Sequence, residues 1–526
     1  MARILISDSI DSQCADIFRE EGFEVDINTG LDSAGLKAVI GNYEALVVRS
    51  STKVTSEIIN AGVHLKIIGR AGAGVDNIDV DAATRKGIIV MNTPGGNTVS
   101  TAEHTISIML SLARKIPQAD QSVKRGEWER KKFIGVELMG KTLGVLGLGK
   151  VGKEVAIRCA AFGMKVIAYD PILSSSAARE LGIELVDFQY LLKCSDFISI
   201  HTPLSNETKN ILNDETLAQC KRGVRIINCA RGGIVNEEAL LAALTAGQVG
   251  GAALDVFSQE PPGKIPLLQH PDVIATPHLG ASTEEAQEKV AIQIAHQICD
   301  ALKERGIAGS VNADVISSAM RPELAPYLLL AEKLGILLVQ IMSEKHGALS
   351  LEVEGKLLTD SIEALCAAFL KGFLSFHLDV SLNYLNAPFI AKERGIRLEV
   401  QQGGEHSLYA NYLTAGYKTR EEERSISGAV FGNKNIRIVK INDFHFEINP
   451  EGHLLLYSND DKPGIVAAVS SILAKYNVNI AGMALGRYGV GKEALTIISV
   501  DSEIPNEALN QISKINGLID VKKAFI

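Results

Sequence analysis

Short apolar runs alternate with helical stretches through the first three hundred residues. Ile4–Ile6, Ala45–Val48, Leu65–Gly69 and Ile88–Met91 are apolar segments of strand length. After Pro94-Gly95-Gly96 a helical pattern runs from Thr101 to Arg114. A second series follows: Thr142–Leu148, Val166–Tyr169, Phe197–Ile200, Val224–Asn228, Ala252–Leu254 and Val273–Ala275, with helical stretches such as Lys150–Phe162 and Asn236–Ala246 between them. Strands that read apolar throughout, rather than alternating, are covered on both faces, as in parallel sheets flanked by helices. Two such series predict two α/β units with a cleft between them. The helical stretch Ser282–Lys303 can return the chain to the first unit.

Beyond Ser310 the texture changes. Helical stretches at Ala325–Met342 and Asp360–Phe376 mix with strand-like alternation at Leu349–Val353, Ile436–Ile441 and Phe444–Ile448. This is an α+β pattern without a catalytic constellation. The run Arg420-Glu421-Glu422-Glu423-Arg424 reads as a solvated loop or helix face. The last block orders as strand Leu454–Tyr457, helix Ile465–Lys475, strands Ile480–Gly486 and Ala494–Val500, helix Asn506–Lys514 and strand Ile519–Phe525. That βαββαβ order is ferredoxin-like.

Composition narrows the class. With 526 residues, 46% hydrophobic and 22% charged, the chain is globular and holds several domains. A net charge of −9 leaves no basic footprint, so neither nucleic acid nor an anionic membrane is an expected partner. The seven cysteines form no CxxC and read as reduced thiols of a cytoplasmic protein; no metal site is expected. The most apolar stretch, Tyr327–Met342, is interrupted by Glu332-Lys333 and is too short to span a bilayer. The N-terminus reaches Asp8 too early for a signal-peptide core.

The strand Thr142–Leu148 runs into Gly147-Leu148-Gly149-Lys150-Val151-Gly152 and then a helix. Between strand and helix, this spacing is a dinucleotide phosphate loop: Gly147 makes the tight turn, Gly149 admits the pyrophosphate, and Gly152 allows close helix–strand packing. The helix N-terminus adds free N–H groups and a positive dipole end. Asp170 closes the next strand 18 residues after Gly152, near the separation of about 20 expected for a ribose-binding acid. A carboxylate there repels a 2′-phosphate and favours NAD over NADP.

Moving a hydride to or from a 2-hydroxy acid requires a carboxylate clamp and an acid–base group. Arginine suits the first and histidine the second. A neighbouring carboxylate orients the imidazole. Arg231, Glu260 and His278 each follow an apolar strand, on the edge where α/β sheets bind ligands. The remaining ten histidines lack such a setting and are read as structural. In the first unit, Arg49-Ser50 and Arg70 lie at strand ends, and Asn97 follows Pro94-Gly95-Gly96. Together they can cradle a second anionic group such as a phosphate.

In this order and context, the segment from Gly147 to Gly280 resembles the D-isomer-specific 2-hydroxyacid dehydrogenase family. The resemblance implies that Arg231 grips the substrate carboxylate, His278 is the acid–base and Glu260 its partner. It implies cofactor contacts from Leu148, Lys150, Val151, Thr202, Pro203, Cys229, Ala230 and Asp255. It places Trp128-Glu129-Arg130-Lys131-Lys132 near a dimer contact; a solvated loop with an anchoring Trp is the alternative.

The whole chain resembles the long-form branch of that family, which acts on 3-phosphoglycerate. That resemblance is carried at the C-terminus by Leu454–Ile465, with Asp461 and Pro463-Gly464, and by Asn477-Val478-Asn479-Ile480. It implies a substrate-binding domain over 1–96 and 283–309, an NAD-binding Rossmann domain over 97–282, an intervening regulatory α+β domain over 310–450 and an ACT domain over 453–526. It implies L-serine as an effector at Asn459, Asp461 and Asn479, and a homodimer or homotetramer. A module that only builds the oligomer is the alternative for the last block. Two other functional readings stay open: a relative acting on glyoxylate, hydroxypyruvate or D-lactate, and an NAD-sensing protein related to corepressors.

Overall fold

The computed structural model describes residues 1–319, 321–343, 347–378, 380–432, 434–489 and 491–526. Its first sheet is parallel throughout: β1 (Arg3–Ile6), β2 (Glu24–Ile27), β3 (Ala45–Val48), β4 (Ile67–Arg70) and β5 (Ile89–Asn92), in spatial order β2-β1-β3-β4-β5. The apolar runs seen in the sequence form its centre. Edge strand β2 has no buried residue, which is why apolar patterning did not reveal it.

The second sheet is also parallel. It contains β6 (Thr142–Leu146), β7 (Lys165–Tyr169), β8 (Glu184–Leu185), β9 (Phe197–Ile200), β10 (Val224–Asn228), β11 (Val249–Leu254) and β12 (Val273–Ala275), in the order β12-β11-β10-β9-β6-β7-β8. From β6 the sheet grows one way through β7 and the other way through β9. This reversal opens a crevice at the carboxyl ends of β6 and β9, the ligand position of doubly wound sheets. Helix Thr98–Arg114 shares an apolar cluster with helix Lys150–Ala161 through Ala102, Met109, Val155 and Cys159. Helix Glu284–Leu302 returns to the first sheet. A Cβ on Gly69 of β4 would lie 2.5 Å from Ile298 Cδ1, so glycine sets that approach.

The third sheet is mixed: β13 (Ala348–Glu354), β14 (Leu398–Gln402), β15 (Tyr412–Lys418), β16 (Glu423–Phe431), β17 (Asn435–Ile441) and β18 (Phe444–Ile448), in the order β14-β13-β15-β16-β17-β18. Only the β13–β14 pairing is parallel. Helices Ala325–Ile341 and Ile362–Ser375 pack against each other, and a Cβ on Gly372 would lie 1.9 Å from the Glu332 carbonyl oxygen. The fourth sheet is antiparallel: β19 (His453–Asp460), β20 (Ile480–Arg487), β21 (Glu493–Val500) and β22 (Leu518–Phe525), in the ferredoxin-like order β20-β21-β19-β22.

Residue alternation along β19 and β21 divides two cores. Leu455, Tyr457 and Ile498 face helices Ile465–Lys475 and Asn506–Ile512. Leu454, Leu456, Leu495 and Ile497 join the cluster built by Leu334, Leu338 and Ile341 of the long helix. Gln340 ties that helix to the edge of β22, donating to the Phe525 carbonyl and accepting from its N–H, both at 2.9 Å. The charge run at 420–424 is a loop leading into β16, with Arg420, Glu421 and Glu423 exposed as expected. Arg424 departs from that expectation: it is 21% exposed and bonds Glu422 at 2.7 Å and Asp520 at 2.8 Å. The guanidinium therefore joins the third sheet to the fourth. Among the described residues, no helix is long and apolar enough to cross a membrane.

Candidate active site

The loop after β6 has the geometry that its glycines require. Gly147 has φ +91°, and a Cβ there would lie 2.8 Å from the His201 carbonyl oxygen. A Cβ on Gly152 would lie 2.1 Å from the Gly147 carbonyl oxygen, so helix Lys150–Ala161 meets the turn without room for a side chain. Gly149, the residue at the helix N-terminus, has open space where its Cβ would be. Asp170 accepts from the N–H groups of Leu148, Ile172 and Leu173 at 2.8, 2.9 and 3.0 Å. Burial raises its pKa, but the backbone donors outweigh it and hold the carboxyl below its ordinary range. Asp170 thus fixes the phosphate loop as well as closing β7. Across the crevice the Thr202 hydroxyl is buried without a partner. Open space at Gly149, a free helix N-terminus and an unpaired hydroxyl fit a dinucleotide.

Arg231, Glu260 and His278 converge. His278 Nδ1 lies 2.8 Å from Glu260 Oε2, and Glu260 Oε1 accepts from the Phe257 N–H at 3.1 Å. An ionised carboxylate only accepts, so Nδ1 carries the proton and Nε2 is free for chemistry. Arg231 Nε donates to Asp76 Oδ2 at 3.0 Å, and its Nη1 donates to the Ala230 carbonyl at 2.8 Å.

The first unit supplies the other wall. Arg70 Nε donates to Asn77 Oδ1 at 2.8 Å, while Asn77 Nδ2 donates to the carbonyls of Arg49 and Thr52 at 2.7 and 2.6 Å. Burial, then the nearby Arg231 charge, lowers the Arg70 pKa. The Arg49 N–H bonds Asp8 Oδ2 at 2.5 Å. A cavity of about 650 Å³ is lined by Arg49, Ser50, Arg70, Asn97, Arg231 and His278 among others. A second, of about 400 Å³, is lined by Val151, Thr202, Pro203, Cys229, Ala230 and again Asn97, Arg231 and His278. The candidate catalytic residues stand where a cationic chamber meets the dinucleotide crevice.

Asp255 lies beneath this junction, fully buried. Its carboxylate accepts from Thr276 Oγ1 and the N–H groups of Leu279 and Gly280 at 2.6, 2.7 and 2.8 Å. His104 Nε2 is 3.1 Å from its Oδ1. Cys229 Sγ joins these two within 4.8 Å. Burial holds that thiol up at about 12, protonated and unsuited to metal ligation. Asp8, Asp76 and His104 are not legible in the sequence because each meets the site from a distant chain segment, and Asn77, seven residues from Arg70, belongs to no motif. Asp255, expected among the cofactor contacts, lines neither cavity, because its carboxylate is buried and engaged by Thr276, Leu279 and Gly280.

Three family models match in series. Residues 106–280 match the NAD-binding domain of D-isomer specific 2-hydroxyacid dehydrogenases, 323–442 the D-3-phosphoglycerate dehydrogenase intervening domain, and 453–517 the ACT domain. The D-3-phosphoglycerate dehydrogenase of Synechocystis is 46% identical over 522 residues, covering 99% of this chain and 94% of its own. The chain belongs to the D-3-phosphoglycerate dehydrogenase family. The Archaeoglobus fulgidus member is 44% identical, covering 98% of this chain and 99% of its own. Solved structures similar to the first two units include a Paecilomyes thermophila glyoxylate reductase (29% identity, TM-score 0.55) and an Aquifex aeolicus D-lactate dehydrogenase complexed with NAD and lactic acid (30% identity, TM-score 0.53). Each covers 59% of this chain and 98% of its own. The long-form layout thus includes the third and fourth sheets that these two structures do not match.

The candidate effector residues lie on the fourth sheet. Asn459 is buried at the end of β19, its Nδ2 on the Asp460 carbonyl and its Oδ1 without a partner. Asp461 Oδ2 meets Gly491 N at 3.2 Å and Arg487 Nη1 at 3.4 Å. Asn479 Nδ2 bonds Asp501 Oδ2 at 2.6 Å.

Proposed function

We propose that the chain oxidises 3-phospho-D-glycerate with NAD to 3-phosphohydroxypyruvate, the step that opens L-serine biosynthesis. The observation carrying this reading is the shared border of the two cavities at Arg231 and His278, with Arg49 and Arg70 on the side away from the phosphate loop. Residues 1–96 with 283–309 receive the substrate, 97–282 hold NAD, and 310–450 and 453–526 form the intervening and ACT domains.

Gly147, Gly149 and Gly152 admit the pyrophosphate to the helix N-terminus. Asp170 faces the ribose hydroxyls. Val151, Thr202, Pro203, Cys229 and Ala230 line the cavity next to the catalytic border, and Leu148 and Lys150 flank Gly149 in the phosphate loop. Bound NAD supplies the hydride acceptor. Arg231 grips the carboxylate and sets C2 against that acceptor. Nε2 of His278 removes the hydroxyl proton as the C2–H bond breaks, and Glu260 faces the imidazolium charge that forms. Arg49, Ser50, Arg70 and Asn97 hold the phosphate.

A substrate panel tests the assignment. NADH should form with 3-phosphoglycerate, and the reverse reaction should favour 3-phosphohydroxypyruvate over glyoxylate, hydroxypyruvate and pyruvate. Rapid hydroxypyruvate reduction without turnover of 3-phosphoglycerate would overturn it.

L-serine is the proposed effector at Asn459, Asp461 and Asn479, supported by the unpaired Asn459 oxygen; calorimetry showing no serine binding would remove it. A homodimer or homotetramer is supported by the exposed side chains of Trp128, Ile134 and Met139.

A further inference from the structure

We infer that His104 is a positioning residue for His278 and acts through Asp255. The inference rests on the acid–base role given to His278 above.

His278 has φ +54°, in the left-handed region that non-glycine residues seldom adopt. Something must hold the backbone there. The His278 N–H donates to the Asp255 carbonyl at 2.9 Å, and the two residues after it donate their N–H groups to the Asp255 carboxylate. Two residues before it, the Thr276 hydroxyl donates to the same carboxylate. One buried side chain therefore ties both flanks of the His278 turn.

A buried carboxylate with this many donors holds its geometry only while its charge is compensated. His104 provides the remaining contact. Its Nε2 lies 3.1 Å from Asp255 Oδ1 and 3.2 Å from Thr276 Oγ1. The Thr276 hydroxyl proton is already directed to Asp255, so Nε2 of His104 is the donor. Asp255 is held below its ordinary carboxylate range: burial opposes ionisation, and the His104 and Thr276 bonds lead the groups that reverse it.

The same helix reaches the turn twice more. Ser100 and Thr101 donate their hydroxyls to the Gly280 carbonyl at 2.9 and 3.1 Å. Asn97, at the start of this helix, lines both cavities. Helix Thr98–Arg114 thus supports the His278 turn from behind, and His104 is its contact with the buried charge.

The test compares His104→Gln, His104→Asn and His104→Leu in the full chain, with His278→Ala alongside. Glutamine places an amide N–H near the Nε2 position, and asparagine falls short of it. His104→Asn and His104→Leu should lower kcat about 10- to 100-fold, the scale of a misplaced catalytic group, while KM for 3-phosphoglycerate and for NAD stay within about threefold. His104→Gln should return to within about threefold of the original kcat. If leucine prevents folding, the glutamine–asparagine comparison decides. Equal rates for those two variants, or an effect confined to KM for NAD, would overturn the inference. An undiminished rate in His278→Ala would instead remove the acid–base reading on which it stands.

Discussion

Arg231 Nε and Asp76 Oδ2 meet at 3.0 Å, joining the second α/β unit to the first across the mouth of the cleft. The arginine proposed to hold the substrate carboxylate is already occupied by a protein carboxylate. Asp76 is 66% exposed, so the pair is solvent-screened and readily exchanged.

Asp76→Asn should therefore improve substrate binding. Losing the competing charge is worth the modest energy of an exposed ion pair, so KM for 3-phosphoglycerate should fall about 2- to 5-fold with kcat little changed. Steady-state kinetics at fixed ionic strength checks this. A raised KM would show that Asp76 orients Arg231 instead of competing for it.

Asp170 has a double task, fixing the Leu148 N–H and facing the proposed ribose site. Asp170→Ala should raise KM for NAD about 10- to 100-fold, the loss of one or two charge-assisted hydrogen bonds. It should also narrow discrimination against NADP. Titration of both cofactors by NAD(P)H fluorescence measures the ratio.

His201 gives a pH dependence of stability. Burial lowers its pKa from 6.5 to about 4, and Nε2 contacts Ser199 Oγ at 2.8 Å. The folded state favours the neutral ring, so the unfolded chain binds more protons between these values. The stability contribution is complete above pH 6.5 and is lost as pH falls towards 4. The total is on the order of 3 kcal/mol. Thermal unfolding of wild type and His201→Gln across this window should show the smaller acid loss in the variant. Parallel curves would contradict the assignment.

Arg424 links the third and fourth sheets through Asp520. Arg424→Ala should lower the unfolding temperature of the C-terminal half, with a cost of about 1–3 kcal/mol for a half-buried charged hydrogen bond. Calorimetry should show that transition moving while the NAD-binding half stays in place.

These cases also show how much the chain makes legible before its structure is known. The phosphate loop is local: Gly147, Gly149 and Gly152 carry their conformational demands within six residues, and Asp170 follows one helix and one strand later. Arg231, Glu260 and His278 were readable because each sits just past an apolar strand. Asp76 and His104 were not, since their partners are far away in sequence, and Asn77, though only seven residues from Arg70, is of a type common in loops. In the 420–424 run the exposed loop was legible, but the pairing of Arg424 was not, because Asp520 lies 96 residues onward. Strands β2 and β14 bury almost nothing, so their edge positions left no apolar signal.

The central claim is that one chamber holds a phosphorylated 2-hydroxy acid against NAD. Its most direct test is the ratio of kcat/KM for 3-phosphoglycerate to that for D-glycerate, with NAD, in wild type and in Arg49→Ala. Two arginine–phosphate contacts predict a preference of about 100-fold or more in wild type, reduced about 10-fold or more in the variant. Equal kcat/KM for the two acids, unchanged by Arg49→Ala, would contradict the account.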